Sequence, residues 1–501
     1  MNQIILESPL HPSAEEQVRA QLEQAGFAAE AVRAWSDECP LQTVDFATDR
    51  QRFAAFWRTT GALFARLPAR AKRKPADQAA AEQLLATGRD SRERFLRAHV
   101  ALVYDALTEA RTQFLRVDRL CEQAAVAFPG LVPDHATHAL EMTRPLREKE
   151  GHEIDQGLLL AHVLADPAAG EHLCHAMLLP REDSLERLAE FARSGEIDLG
   201  AATLRREGRA SIVTLSNPRF LNAEDEMTLD AAEIAVDLAL LDPRTEICVL
   251  RGSTVDHPKY AGRRVFGAGI NLTYLYQGRI PYSFYLMRDL GCLNKIYRGL
   301  ALREISPEET RGTTIEKPWI ATLETFAIGG HCQYLLVMDH IVAARDAYMT
   351  LPARKEGIIP GAANMRLPRF VGNRIARQAI LLERRLECDS AEGRLICDTV
   401  VAPEAVDAAL AHAITNFTGS GVVSAAGNRR ALRVVQEPLD SFRRYFAVYA
   451  REQAYCHLSP ALIANLERHW IKKESKRGQT PEADPGSKKG SDPIVIIKGH
   501  Q

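Results

Sequence analysis

The chain has 501 residues, 46% of them hydrophobic and 26% charged, with a net charge of -2; this is a globular composition, long enough for more than one domain or for one domain with a large extension. The near-neutral balance gives no global electrostatic case for a nucleic-acid or membrane-surface partner, and no apolar run reaches the ~20 residues needed to span a bilayer. The opening MNQIILESPLHPSAEEQ has no basic stretch followed by a long apolar one, so no secretory signal is expected, and nine cysteines without a CxxC pair read as reduced thiols in cytoplasm.

In chain order, the first ~195 residues read as helices. Segments 15–25, 51–67, 79–86 and 91–127 are rich in Ala, Leu, Glu, Arg and Gln, with apolar residues at helical spacing. The texture changes at Leu199. Residues 202–206 and 210–215 read as two short strands around a Glu207–Gly208 turn. A helix is expected over 225–241, an apolar strand over 246–251, a glycine-bearing turn at 267–270 and a helix over 281–299. A strand over 319–324 leads into the FAIGGHCQYLLVMDH stretch, with its two adjacent glycines opening into an apolar helix, and 340–344 is a further strand. Strands alternating with helices imply right-handed crossovers and a mostly parallel sheet. Residues 369–470 read as helical again, and ESKRGQTPEADPGSKKGSDP reads as a disordered tail. The expected units are a helical N-terminal domain (1–197), a catalytic core with C-terminal helices (198–473) and the tail (474–501).

The two glycine turns each follow a strand and precede a helix. Gly330 stands at one helix start, where backbone N–H groups lack partners, and the N–H of Ile270, just after Gly269, is a second candidate donor. Two such donors converging make an oxyanion hole, which stabilises a thioester enolate. Ordinary βα turns account for the same glycines, so spacing alone leaves both readings open. GxSxG, HExxH and P-loop signatures are missing, and GAGINL lacks the third glycine of a dinucleotide fingerprint. His152, His162 and His257 show no metal-ligand spacing. HPKYAGRRVF reads as a solvated loop; the second reading is that Lys259, Arg263 or Arg264 faces a phosphorylated ligand.

From about Leu199 onward the chain resembles the crotonase (enoyl-CoA hydratase/isomerase) superfamily. The carrying motifs are TLSNPRFLNAED (214–225), VFGAGINL (265–272), IEKPWIATLETFAIGGHCQ (315–333) and LPARKEGIIPGAAN (351–364). The resemblance implies an α/β fold, a crotonase-like ββα spiral core flanked by a large helical N-terminal extension and a helical C-terminal part. It also implies oxyanion-hole donors at Ile270 and Gly330, so that a CoA-thioester carbonyl approaches the glycines. Hydratases of the family carry one glutamate three residues after that glycine and a second in a PE pair before GxxPG. Here those positions are Gln333 and Ala353, neither of which is a carboxylate base, so ordinary hydration is not expected. His331 stands where the family usually has a third glycine.

HPKYAGRRVFGAGINL, RDLGCLNKIYRGL, EIDQG and EGIIPGAANMRL narrow the resemblance to a cofactor-independent branch that oxygenates 3,5-dihydroxyphenylacetyl-CoA in glycopeptide-antibiotic pathways. That branch implies O2 as co-substrate and no metal or flavin. It implies Gln333, Glu224 and Arg288 as polar site residues, with an apolar substrate and O2 pocket at Ile270, Leu272 and Ile358. A homo-trimer or homo-hexamer is the assembly implied by the superfamily. Two other functions stay open on the sequence: a crotonase-fold acyl-CoA hydrolase or hydratase without O2 chemistry, and a non-catalytic acyl-CoA-binding protein.

Overall fold

The computed structural model describes residues 12–419 and 423–471. The expected disordered tail at 474–501 lies outside the described residues.

Helices fill the chain up to Ser194. Their limits depart from the sequence reading in one instructive place. The expected break after residue 86 is absent: Pro75–Leu107 is one helix of 33 residues that passes straight through Gly88. Gly88 faces Arg92 and the preceding helix: a Cβ on it would stand 2.9 Å from Arg92 Nη1 and 3.6 Å from Thr60 Cγ2. The break falls instead at Thr108, whose hydroxyl donates back to Tyr104 O and accepts from Arg111 N–H. Three residues with positive φ, Glu109, Ala110 and Arg111, then reverse the chain before the Val117–Ala127 helix.

The strands are β1 (Glu196–Asp198), β2 (Ala202–Glu207), β3 (Ala210–Leu215), β4 (Ile247–Gly252), β5 (Leu300–Ala301), β6 (Thr314–Ile315), β7 (Trp319–Leu323), β8 (Phe326–Ile328), β9 (His340–Ala344), β10 (Tyr348–Thr350), β11 (Leu386–Glu387) and β12 (Thr399–Val401). Seven of them form the main sheet in the order β1-β2-β3-β4-β7-β9-β12. It is antiparallel across β1, β2 and β3 and parallel from β3 to β12. Burial on both faces explains the unbroken apolar runs of β4 and β7. The Glu226–Leu241 helix packs on β2 and β3, and the Val406–Thr418 helix packs on β4, β7, β9 and β12. The helix 226–241 begins where expected because Asp225 caps it, accepting from Thr228 N–H. The reading of 369–470 as continuously helical needs correction. β11 and β12 interrupt it, each too short to show an alternating pattern, and each is held by pairing with a distant strand.

The chain leaves the main sheet after Leu323, and β8 opens a second, smaller sheet in the order β11-β10-β8. Two single bridges extend that layer: Gly267 pairs with Ala327, and Glu224 pairs with Ile270. The Ser283–Leu286 helix continues through a wider π-helical stretch, Met287–Leu293, into Asn294–Arg298. Its outer side is held by the N- and C-terminal parts of the chain. Glu153 accepts from Tyr282 N–H at 2.8 Å, and the Tyr282 hydroxyl donates to Ala450 O at 2.6 Å. The Glu153–Ala165 and Leu439–His457 helices meet at Gly157, where a Cβ would lie 2.4 Å from Ala454 Cβ and 3.1 Å from Ala450 O. A side chain at this crossing forces the helices apart. Gly157→Val is expected to destabilise the fold by about 1–3 kcal/mol through overpacking, read as a lowered thermal midpoint. An unchanged midpoint would show that the crossing is not tight.

Candidate active site

The backbone of the site is set by the small layer. Glu224 N–H donates to Gly269 O and Glu224 O accepts from Asn271 N–H, both at 2.7 Å. In a parallel bridge of this kind the residue between the two bonded groups points its own N–H and C=O away from the partner strand. Ile270 is that residue, and its N–H donates to no acceptor among the described residues. The second turn reaches the same place. Gly329 has φ +53° and ψ -116°, a backbone state that side chains rarely adopt, and its N–H is used on Thr350 O. Gly330 follows as the first residue of the Gly330–Leu335 helix, and its N–H likewise has no acceptor among the described residues. The turns are in contact: a Cβ on Gly269 would stand 3.4 Å from Gly330 N and 2.9 Å from Ile328 O. The Gly330 amide therefore stands against the turn that carries Ile270, and neither amide has an acceptor among the described residues.

His331 explains how the first turn is held. Its ring is 1% exposed, and Nδ1 accepts from Gly269 N–H at 3.0 Å. Burial, against the opposing pull of Glu224, drives its pKa down to about 4. The ring is thus neutral, with its proton on Nε2. It occupies the space a side chain at Gly267 would need, since a Cβ there would be 2.1 Å from the ring. The residue that departs from the family's glycine run therefore fixes the amide just before Ile270.

Beneath Gly330 lies a buried ion pair. Arg288 Nε donates to Glu224 Oε1 at 2.8 Å, and Arg288 Nη2 donates to Gly330 O at 2.5 Å. The guanidinium lies over the Tyr334 ring, 4.9 Å from its centroid. Burial pushes the Glu224 carboxyl up, but Arg288 and His331 outweigh it and hold the group below its usual range. Burial likewise works against the Arg288 charge, and Glu224 and Asp289 more than reverse that. A Cβ on Gly330 would stand 2.4 Å from Glu224 Oε2, so glycine here serves both the free amide and the ion pair below it.

These groups face a common cavity, lined by Glu224, Ile270, Arg288, Gly330, Gln333 and Ile358 of the expected residues. Leu272 does not line it, which corrects the expected pocket. Asn271 caps the Leu272–Tyr276 helix by accepting from Tyr274 N–H, and the chain turns Leu272 into the hydrophobic core. Gln333 is buried, and its amide oxygen finds no hydrogen-bond partner among the described residues. The basic loop is spent on structure: Arg263 pairs with Asp346, and Arg264 lies near Glu324 and Asp407.

Sequence reasoning missed several lining residues. Phe284, Tyr285 and Tyr449 supply aromatic wall, and Asp289 and Glu356 supply carboxyls. Burial raises Asp289 to about 6 against the pull of Arg288 and Arg366. Burial, reinforced by Glu383 and partly offset by Lys355, raises Glu356 to about 7. Asp289 adjoins Arg288, and Glu356 lies two residues before Ile358, so adjacency to expected site residues was the available signal. Tyr449 had none, because it arrives from a C-terminal helix remote in sequence. The groups of three or more His, Cys, Asp or Glu side chains that a metal ion needs do not occur among the described residues.

Residues 207–431 match the family model described as enoyl-CoA hydratase/isomerase. The chain is 46% identical over 418 residues to a (3,5-dihydroxyphenyl)acetyl-CoA 1,2-dioxygenase of Amycolatopsis orientalis, covering 83% of this chain and 95% of that protein. It is 28% identical over 209 residues to a short-chain-enoyl-CoA hydratase of Clostridium acetobutylicum, covering 41% of this chain and 71% of the relative. A solved structure of an enoyl-CoA hydratase/isomerase from Xanthobacter autotrophicus Py2 aligns with a TM-score of 0.46 at 21% identity, over 56% of this chain and 99% of that one. The long match to the Amycolatopsis protein, running across both glycine turns, places the chain in the enoyl-CoA hydratase/isomerase (crotonase) family.

Proposed function

We propose that the protein is a cofactor-independent dioxygenase that converts an arylacetyl-CoA, 3,5-dihydroxyphenylacetyl-CoA, and O2 to an arylglyoxylate and free CoA. The observation that carries this reading is the make-up of the cavity wall. Gln333 and Ala353 both face the cavity, so neither position at which hydratases of the family carry a carboxylate has one to handle water. The relative of 46% identity, covered over 95% of its length, bears the name of that oxygenation. In the same reading the protein works in the cytoplasm in secondary-metabolite biosynthesis, as a homo-trimer or homo-hexamer.

The thioester oxygen sits on the N–H groups of Ile270 and Gly330, which stabilise the negative charge once an α-proton is lost. The electron-rich ring delocalises that charge further. Glu224 and Arg288 orient a ring hydroxyl, and the unspent amide of Gln333 hydrogen-bonds substrate or peroxide. The enolate passes an electron to O2, and the two radicals join at the α-carbon as a peroxide. Its terminal oxygen attacks the thioester carbon, CoA leaves as a thiolate, and the O–O bond breaks as the second α-proton is lost. Both oxygen atoms end in the arylglyoxylate. Ile270, Ile358, Ile359 and Phe284 line the cavity. They keep it dry, which strengthens the hydrogen bonds to the enolate.

An O2 electrode with 3,5-dihydroxyphenylacetyl-CoA, read in parallel with thiol release, tests the reading. One O2 consumed per CoA released is expected, and CoA release without O2 uptake would instead establish a hydrolase. Activity is expected to survive dialysis against a chelator; loss restored by iron would overturn the cofactor-free route. Gln333→Glu adds a fourth carboxyl to a cavity that already holds Glu224, Asp289 and Glu356, close to the enolate. It is expected to depress O2 uptake by at least about tenfold at neutral pH, without creating hydratase activity, because Ala353 still lacks a carboxylate. Oxygenation unchanged across pH would remove Gln333 from the reacting centre.

A further inference from the structure

The reaction proposed above needs a base for the α-proton, and neither the residues expected from sequence nor the neighbouring Asp289 supplies a free one. Glu224 is tied to Arg288 at 2.8 Å, and Asp289 lies 3.4 Å from the same guanidinium. Gln333 has no basic oxygen. Glu356 differs from all of these. It ends the Ala353–Glu356 helix, is 4% exposed and lines the cavity. Its carboxylate makes no hydrogen bond or ion pair with any described residue, although only its backbone N–H would be needed to hold the helix end, on Pro352 O. Its Oε2 lies 3.9 Å from the point where a Cβ would leave Gly329, so it approaches the same glycine turn that presents the Gly330 amide. A lone buried carboxylate is costly to keep, and such groups concentrate at working sites.

We propose that Glu356 is the catalytic base that removes the α-proton of the bound arylacetyl thioester. This assignment rests on the function proposed above. The carboxylate takes one α-hydrogen as a proton. The C–H electron pair becomes the enolate double bond, and the carbonyl π pair moves onto the thioester oxygen at the Ile270 and Gly330 amides. With O2 present, the protonated Glu356 returns that proton to the departing CoA thiolate and, ionised again, takes the second α-proton as the O–O bond breaks. Base strength agrees with the geometry. The ion-paired Glu224 sits below the ordinary carboxylate range, whereas Glu356 is raised to about 7, the matched value for a base working near neutrality. Its titration is set by burial, by Glu383 and Lys355 on its own side, by Tyr285 and Cys332 packed nearby, and across the cavity by Asp289, Arg288 and Glu224.

The test is solvent deuterium exchange at the α-carbon of 3,5-dihydroxyphenylacetyl-CoA under anaerobic conditions, followed by mass spectrometry beside aerobic O2 uptake. Wild-type exchange is expected to rise about tenfold per pH unit up to about 7 and then level, because only the ionised carboxylate accepts the proton. Glu356→Gln, close in shape to the native side chain, is expected to lose about 10²–10⁴-fold in exchange and a comparable factor in O2 uptake, while its Kd for the thioester stays within a few fold. Formate is expected to restore part of the exchange in Glu356→Ala. Exchange at the wild-type rate in folded Glu356→Gln would overturn the assignment and leave the dioxygenase reading standing. Exchange by the wild type without any O2 uptake would do the reverse. If the variants fail to fold, the wild-type profile still decides: exchange independent of pH from 5 to 9 removes Glu356 as the base.

Discussion

The site depends on one short piece of parallel pairing, the bridge between Glu224 and the Gly269–Asn271 segment. Because Glu224 uses both of its backbone groups on the residues flanking Ile270, the Ile270 amide has to face elsewhere, and Ile270 is among the residues that line the cavity. The same bridge anchors the Glu224 backbone, so its side chain meets Arg288 directly below Gly330. One bridge therefore positions the unspent Ile270 amide and the ion pair together. A slip of one residue would turn the Gly269 or Asn271 amide outward in place of Ile270.

Electrostatics in the cavity are arranged by contrast. Of the side chains near the two amides, three are either neutral or already paired. His331 is neutral through burial, Gln333 carries no charge, and Glu224 is compensated by Arg288. Fixed dipoles and paired charges of this sort are what the proposed enolate chemistry requires, because they need no reorganisation as negative charge develops. Against that background the unpaired carboxyl of Glu356 and the partly compensated one of Asp289 are the groups whose protonation responds near neutrality. A water-filled cleft would screen both and restore ordinary carboxylate behaviour.

The helical extension has a structural consequence for this chemistry. Arg288 and Asp289 lie on a π-helical turn, a local geometry with weaker backbone support than an α-helix. The chain holds that helix from several sides. Lys295 is buried between Glu233 and Asp237 at 2.8 Å from each, and Arg116 of the N-terminal part also binds Glu233. Arg298 and Arg366 converge on Glu437. Glu153 caps the incoming end at Tyr282. Such buried networks are costly to assemble and severe to break, so they fix where Arg288 stands. They also tie residues 116, 153 and 437 to a site that none of them touches.

Much of this was legible in the chain itself. The alternating elements, the glycines at 269, 329 and 330, the missing carboxylates at 333 and 353, and the motifs carrying Glu224 and Arg288 are local signals, and each depends on residues close in sequence. β11 and β12 were not legible, because strands this short exist only through their distant partners. The gap between segments 79–86 and 91–127 is closed by one helix, in which Gly88 faces Arg92 and Thr60 of the preceding helix. Leu272 looked like pocket and is core, decided by where the Asn271 cap turns the chain. Glu356 and Tyr449 became cavity residues only when separate helices met around the glycine turns. Sequence determined which backbone turns and which side-chain chemistry were present. Tertiary structure decided which carboxyls were neutralised and which was left unpaired, because a pKa is set by burial and by neighbours that come from remote parts of the chain.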